Sequence, residues 1–237
     1  MRTKQEDLAI KKIILFGGGD LAIEVATYIS DINNDLSETS DQGLGRNWRA
    51  TDVISSEPAR EEQLSEVIGV CPNFHLGTET VQDCSEKHII ICVGDPSTRH
   101  QIYKDLRRSG MKFATLIHPL AYVSKTAVIG DGTIICPFVF VGPFAQINEN
   151  CVLNVYSSAG HDVEIGISSV FSPHAMANGH ARTGSAAFLG GGSIMHPKTS
   201  LGAFGQLSAG SVLTKAAGDG FLMHGNPASG RQMTKVN

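Results

Sequence analysis

Starting at Ile117 and stepping by six residues, the chain reads Ile117, Val123, Ile129, Ile135, Val141, Ile147, Leu153, Ala159, Ile165, Phe171, Ala177, Thr183, Leu189, Met195, Leu201, Leu207 and Leu213. At 41% hydrophobic residues overall, about seven of these seventeen positions would be apolar by chance; only Thr183 is not. Four residues after each, the side chain is usually small, as at Ala121, Ala127, Ala145, Ser157, Ala175, Ala181 and Ser193. An α-helix needs a period near 3.6, so this register excludes one. A six-residue repeat with one apolar and one small inward position predicts a parallel β-helix. Each hexad supplies a short strand and a turn, and three hexads close one triangular coil. Residues eighteen apart then stack on one edge, about 4.8 Å from coil to coil.

The first half follows another rule. "KKIILFGGGD" is a β-branched run ending in glycines, and "LAIEVATYIS" continues at helical spacing. "EKHIIICVGDP" is a second buried-strand run, followed by the amphipathic "STRHQIYKDLRRSG", with Gly110 as its C-cap. "MKFATLIHP" reads as a third strand. Such alternation implies a small parallel sheet flanked by helices, a Rossmann-like α/β domain over residues 1–115. The polar, acidic stretch 31–65 reads as a long loop with at most one strand around Ala50–Ser55. Residues 116–237 form the second domain: the β-helix to about residue 215, then a short tail.

Composition narrows the function. A net charge of −4 gives no basic surface for nucleic acid or an anionic membrane. Five cysteines (Cys71, Cys84, Cys92, Cys136 and Cys151), widely spaced and without a CxxC, suit free thiols in a reducing compartment. The N-terminal "MRTKQEDLAIKK" lacks an apolar signal core, and no apolar stretch is long enough to span a bilayer. A soluble cytoplasmic protein is expected.

The segment "NVYSSAGHDVEIG" (154–166) places His161 beside Asp162. Eighteen residues on lies Gly179, next to His180; thirty-six on lies Pro197, next to His196. Three imidazoles therefore fall on or beside one edge of the prism, which suggests a site. A neutral imidazole can accept a proton at neutral pH, and a backbone N–H at a glycine turn, such as Gly179, can stabilise an oxyanion. Adjacent residues of an extended strand point opposite ways, so Asp162 assists His161 only if the pair lies at a turn.

"ILFGGGDLAIEVA", the stretch from "ICVGDPSTRH" to "AVIGDGTII", "LNVYSSAGHDVEIG" and "GSVLTKAAGDGFLMHGNPA" together cover nearly the whole chain. In these segments the sequence resembles the PglD/NeuD-type sugar acetyltransferases, members of the left-handed β-helix (hexapeptide-repeat) acyltransferases. The resemblance implies a homotrimer that binds acetyl-CoA between β-helices and N-acetylates a nucleotide-linked amino sugar for bacterial surface glycans, without a metal. It implies His161 as general base, with Asp162 and Asn154 beside it. It further implies cofactor contacts from Ser169, Gly179, His180 and Gly190, and from Lys215, Gly225, Pro227 and Arg231 around a closing "GNPA" segment. Acceptor contacts would come from Gly17, Gly19, Asp20 and Asp95.

Several positions depart from the family pattern. Its glycine-rich G-A-x-G-H-[GA] loop is here Gly17-Gly18-Gly19-Asp20-Leu21-Ala22, and Asp20 would repel a phosphate at that helix N-terminus. Ser55 and Ser56 stand where an acidic pair is common, Gly160 replaces the glutamate before the base, and Ser169 replaces a second histidine. His174 holds a usual glycine position. Two other readings follow: a trimeric scaffold that lost its acceptor site, and a zinc site of the γ-carbonic-anhydrase kind, which needs three convergent imidazoles.

Overall fold

In the computed structural model, the structure describes residues 11–34, 48–55, 60–69, 72–76 and 87–233. Cys71, Cys84, Ser56 and the parts of the 31–65 loop expectation at 35–47 and 56–59 lie outside these residues.

The N-terminal unit is a five-stranded parallel sheet in the order β3-β2-β1-β4-β5. Its strands are β1 (Lys11–Phe16), β2 (Trp48–Ser55), β3 (Asn73–Leu76), β4 (Lys87–Ile91) and β5 (Lys112–Phe113). The helices are α1 (Asp20–Asn34), α2 (Glu61–Ile68) and α3 (Pro96–Arg108). Ile13, Ile14 and Leu15 of β1 and Ile89–Ile91 of β4 are buried on both sheet faces, as a central parallel pair requires. α1 follows because Ala22, Val25, Ala26, Ile29 and Ile32 recur on one face. α3 starts at Asp95, whose carboxylate accepts the Thr98 N–H at 2.7 Å, with Pro96 at its first position. It ends at Ser109, followed by Gly110 at φ 75.

Two expectations are corrected here. The 31–65 stretch is not one long loop: α1 runs to Asn34, and α2 packs against α1 through the buried Leu64. α2 escapes a periodicity reading because its other exposed positions are mostly acidic. "MKFATLIHP" is not one strand either. Lys112–Phe113 pairs with β4, whereas Leu116–Ile117 (β6) pairs with Ile134–Ile135 in the next structure.

That structure is a parallel β-helix. Seventeen two-residue strands run from β6 to β22 (Val212–Leu213), and each ends on one of the hexad positions. Strands pair at an offset of eighteen residues, for example Phe140 with Ser158 and Val141 with Ala159. From Ile135 to Leu213 every hexad side chain is buried. Thr183 is tolerated inside because its hydroxyl accepts the Gly166 N–H at 3.0 Å and lies 3.3 Å from the Ser169 hydroxyl. The four residues between strands turn a corner, and from Gly132 to Gly210 the third of each four adopts the left-handed conformation, even as Phe138, Tyr156, Asp162, His174 or His180. A hairpin of β23 (Phe221–His224) and β24 (Ser229–Gln232) closes the last coil. Among the described residues, no helix is long and apolar enough to cross a membrane.

The three corner edges carry different contents. One edge holds His161. The second docks the N-terminal unit: the fully buried Arg99 of α3 donates to the Asn150 carbonyl at 2.6 Å, to that of Gly132 at 3.4 Å, and to those of Ile91 and Val93 in its own unit. Beside it, His100 Nδ1 lies 3.1 Å from the Ser168 hydroxyl, and its ring meets Phe204 edge-on. The third edge carries a stack of Phe138, Tyr156 and His174, with ring centroids 4.9 and 5.1 Å apart.

Candidate active site

His161 and Asp162 occupy the middle of the corner between Ser158–Ala159 and Glu164–Ile165. Asp162 has φ 57, and this sharp turn lets neighbouring side chains face each other, which an extended strand forbids. His161 Nδ1 therefore lies 2.8 Å from Asp162 Oδ2. The condition placed on the pair by the sequence is met.

One coil further, residues 178–181 make the same corner. His180 stacks on Asp162 in the eighteen-residue register, and its backbone N–H donates to the His161 carbonyl at 3.0 Å. Its Nε2 lies 4.0 Å from Asp162 Oδ2, and its ring meets that of His161 edge-on at 5.1 Å. The carboxylate is thus flanked by two imidazoles, all three side chains being exposed. Gly179 lies under the His161 ring: a Cβ there would fall 2.4 Å from Nε2 and 2.6 Å from Cε1. Phe144, 62% exposed, precedes Asp162 on the same row, and Lys198 follows His180. His180, Lys198 and Arg182, the last paired with Glu164 at 3.1 Å, line an open cavity of about 400 Å³ with Thr199 and Ser200.

Other expected residues are dispersed. Asn154 begins the previous corner, with the Ser158–Ala159 strand between it and His161, and its Oδ1 accepts the Val155 N–H at 2.7 Å. Within one chain these two residues belong to different edges. Gly190 lies on the Asn154 edge. Ser169 is a correction: it is wholly buried, accepts the Ala187 N–H at 3.3 Å and donates to the Gly184 carbonyl at 3.1 Å. It faces the interior of the coil, so no cofactor reaches it. Its place four residues after Ile165 already marks it as an inward position.

His196 opens the next corner of the His161 edge. It is exposed and stands outside the His161–Asp162–His180 cluster. The expected third imidazole is therefore not brought in, and His174 stacks on Tyr156 on another edge. At the C-terminal end, Gly225 (φ 92) donates to the Ser211 hydroxyl at 2.9 Å and is followed by the cis Asn226–Pro227 bond. Lys215 and Arg231 are exposed there, the Arg231 Nε lying 3.3 Å from Met233 Sδ.

In the N-terminal unit, Gly17, Gly19 and Asp20 follow β1, and Asp95 follows the adjacent β4. These loops share the carboxyl ends of neighbouring strands, where open α/β sheets bind ligands. Gly17 (φ 118) is required, since a Cβ would fall 2.6 Å from the Cys92 carbonyl oxygen. Asp20 pairs with Arg60, whose own backbone N–H donates to the Gly18 carbonyl at 3.1 Å. The sequence reading missed Arg60; it lies forty residues from Asp20, with no local pattern to link them.

No protein-family model matches the chain. A 45-residue stretch is 51% identical to the UDP-N-acetylbacillosamine N-acetyltransferase of Bacillus subtilis (strain 168), covering 19% of this chain and 21% of that protein. The match thus spans about a fifth of the curated relative. Among solved structures, a mutant perosamine N-acetyltransferase from Caulobacter crescentus, in complex with CoA and GDP-perosamine, superposes with a TM-score of 0.79 at 24% identity. That superposition covers 94% of this chain and 98% of that one. The acetyltransferase domain of PglB from Neisseria gonorrhoeae FA1090 gives 0.73 at 23% identity, over 93% and 100%. WeeI from Acinetobacter baumannii AYE gives 0.67 at 19%, over 92% and 99%. The chain shares the fold of these proteins over nearly its whole length.

Proposed function

We propose that the chain is an acetyl-CoA-dependent acyltransferase that N-acetylates a nucleotide-linked amino sugar in the cytoplasm. The reading divides it near residue 115 into a Rossmann-like acceptor domain and a left-handed β-helix. The observation that carries it is the His161 ring, held by Asp162 at Nδ1 and lying over Gly179 with Nε2. It is supported by the fold shared with sugar N-acetyltransferases, some of them in complex with CoA and GDP-perosamine.

With Nδ1–H donating to Asp162, Nε2 is the basic nitrogen and is free to take a proton. The acceptor amine attacks the thioester carbonyl carbon, and Nε2 removes the proton that the amine loses. The negative charge on the carbonyl oxygen is met by the Gly179 N–H. The C–S bond then breaks, and the imidazolium returns the proton to the departing CoA sulfur.

The reading is of a homotrimer, with Asn154 and Gly190 reaching the His161 edge from an adjoining copy. The exposed Leu120, Tyr122, Phe138, Phe140 and Phe144 support such packing, since apolar patches of this kind mark interfaces. His180, Lys215, Gly225, Pro227 and Arg231 are assigned to CoA, the two long cations as phosphate donors. Gly17, Gly19, Asp20 and Asp95 are assigned to the acceptor, Arg60 neutralising the charge that Asp20 brings to the loop.

The test is release of free CoA thiol from acetyl-CoA with a panel of nucleotide-linked amino sugars. His161→Ala should lower turnover at least 100-fold. Turnover equal to that of the unaltered chain would remove His161 from the mechanism.

A further inference from the structure

His161, Asp162 and His180 have a second chemical capacity besides proton transfer. One ligand atom from each lies within 4.8 Å of the other two. Two imidazoles and a carboxylate are a donor set that zinc accepts in sites keeping one position open. Tetrahedral binding at 2.0–2.1 Å requires donors about 3.3 Å apart. The observed separations from Asp162 Oδ2, 2.8 Å to His161 Nδ1 and 4.0 Å to His180 Nε2, fall on either side of that value. All three side chains are exposed, which leaves their χ angles free to rotate toward that spacing.

The backbone also presents these donors as a set. Asp162 and His180 occupy the same left-handed corner position on successive coils, with φ 57 and 61. The His180 N–H to His161 carbonyl bond fixes the spacing between the two coils at the site. Lys198, at the same position one coil beyond, is the charge that opposes a cation here, and Asp162 is the charge that favours one.

The geometry points to an inhibitory site for a zinc-like divalent ion on His161, Asp162 and His180. The ion takes the Nδ1 lone pair, and the proton that Nδ1 shared with Asp162 passes through solvent to Nε2, so the neutral ring becomes a ligand whose Nε2 can no longer accept a proton. The imidazole is then held as a ligand, and its carboxylate partner is withdrawn from it. The metal is a regulator that occupies the base rather than a participant in acyl transfer. The inhibitory half rests on the function proposed above; the binding half does not.

The test uses the full chain without a histidine tag and zinc alone, titrated by calorimetry against a competing chromophoric chelator. One zinc per chain is expected, with affinity lowered at least tenfold in each of His161→Asn, Asp162→Asn and His180→Asn. His196→Asn should bind as the unaltered chain does, and Lys198→Met should bind a few-fold tighter. Circular dichroism confirms that each variant is folded. Binding absent, or unchanged in the three cluster variants, overturns the site. In the second arm, one equivalent of zinc should suppress acetyl transfer and EDTA should restore it. Transfer at the metal-free rate with zinc bound overturns the inhibitory role. A chain that binds zinc in this pattern but transfers no acetyl group in either state counts against the proposed function and leaves the metal site standing.

Discussion

Gly179 exists as glycine because of His161: a Cβ at 179 would fall 2.4 Å from the Nε2 of the imidazole on the coil before it. Its φ is not in the left-handed region, so alanine suits the backbone there and conflicts only with the ring. Gly179→Ala should therefore fold normally and displace the imidazole. Acetyl transfer is expected to fall by about 100-fold, since small misplacements of a reacting group cost that much. The melting temperature should move by no more than a few degrees. A fully active alanine variant would show that the ring position is immaterial.

Asp162→Asn keeps the shape of the pair and removes the charge. The amide can present its oxygen to His161, but it no longer stabilises the imidazolium that forms during proton transfer. A fall in kcat of about 10- to 100-fold is expected, with KM for acetyl-CoA little changed. An effect confined to KM would assign Asp162 to binding instead.

The Arg99 guanidinium joins the two units by donating to backbone carbonyls. Burial pulls its pKa down to about 10, so the guanidinium remains charged at neutral pH. Arg99→Met would leave the buried Asn150, Gly132 and Ile91 carbonyls without these donors. A loss of about 3 kcal/mol is expected, read as a melting temperature lower by roughly 6–12 °C. A change under 2 °C would mean that the carbonyls find other partners.

His100 should make the same junction sensitive to acid. Burial, assisted by Lys104, holds its pKa below the ordinary 6.5. In the unfolded chain His100 regains that ordinary value, so below about pH 6.5 the unfolded state binds a proton that the folded state does not. Stability is thus full above that pH and declines as pH falls through the depressed folded value. Melting temperatures at pH 7.5 and 5.5 should differ less in His100→Gln than in the unaltered chain. Equal differences would acquit His100.

The thiols of Cys92, Cys136 and Cys151 are pushed up to about 12, chiefly by burial. Almost none is thiolate at pH 8, so iodoacetamide should leave all three unmodified in the native protein and modify them in denaturant. Peptide mapping distinguishes the sites. Rapid native labelling of any of them would show that its coil opens.

The β-helix was legible in the sequence because its signal is a period, repeated at every hexad and independent of any single residue. The same register placed His161, His180 and Gly179 on one edge, and it marked Ser169 as inward, against the cofactor contact that the resemblance implied. Other features have no period to betray them. Arg99 sits within an ordinary amphipathic helix, and nothing local indicates that its charge is buried among carbonyls. Asp20 and Arg60 meet only because the fold brings the starts of α1 and α2 together. The facing of His161 and Asp162 depended on a left-handed aspartate, which sequence allows but does not announce.

The coil repeat acts as a ruler with fixed graduations. His161 and the closing hairpin of β23 and β24 belong to one continuous stack, so the span between them changes only by whole coils. Adding or deleting eighteen residues beyond His196 would shift that span by about 4.8 Å and leave the corner at 160–163 untouched. A chain built this way can lengthen or shorten that edge in discrete increments and leave His161 and Asp162 as they stand.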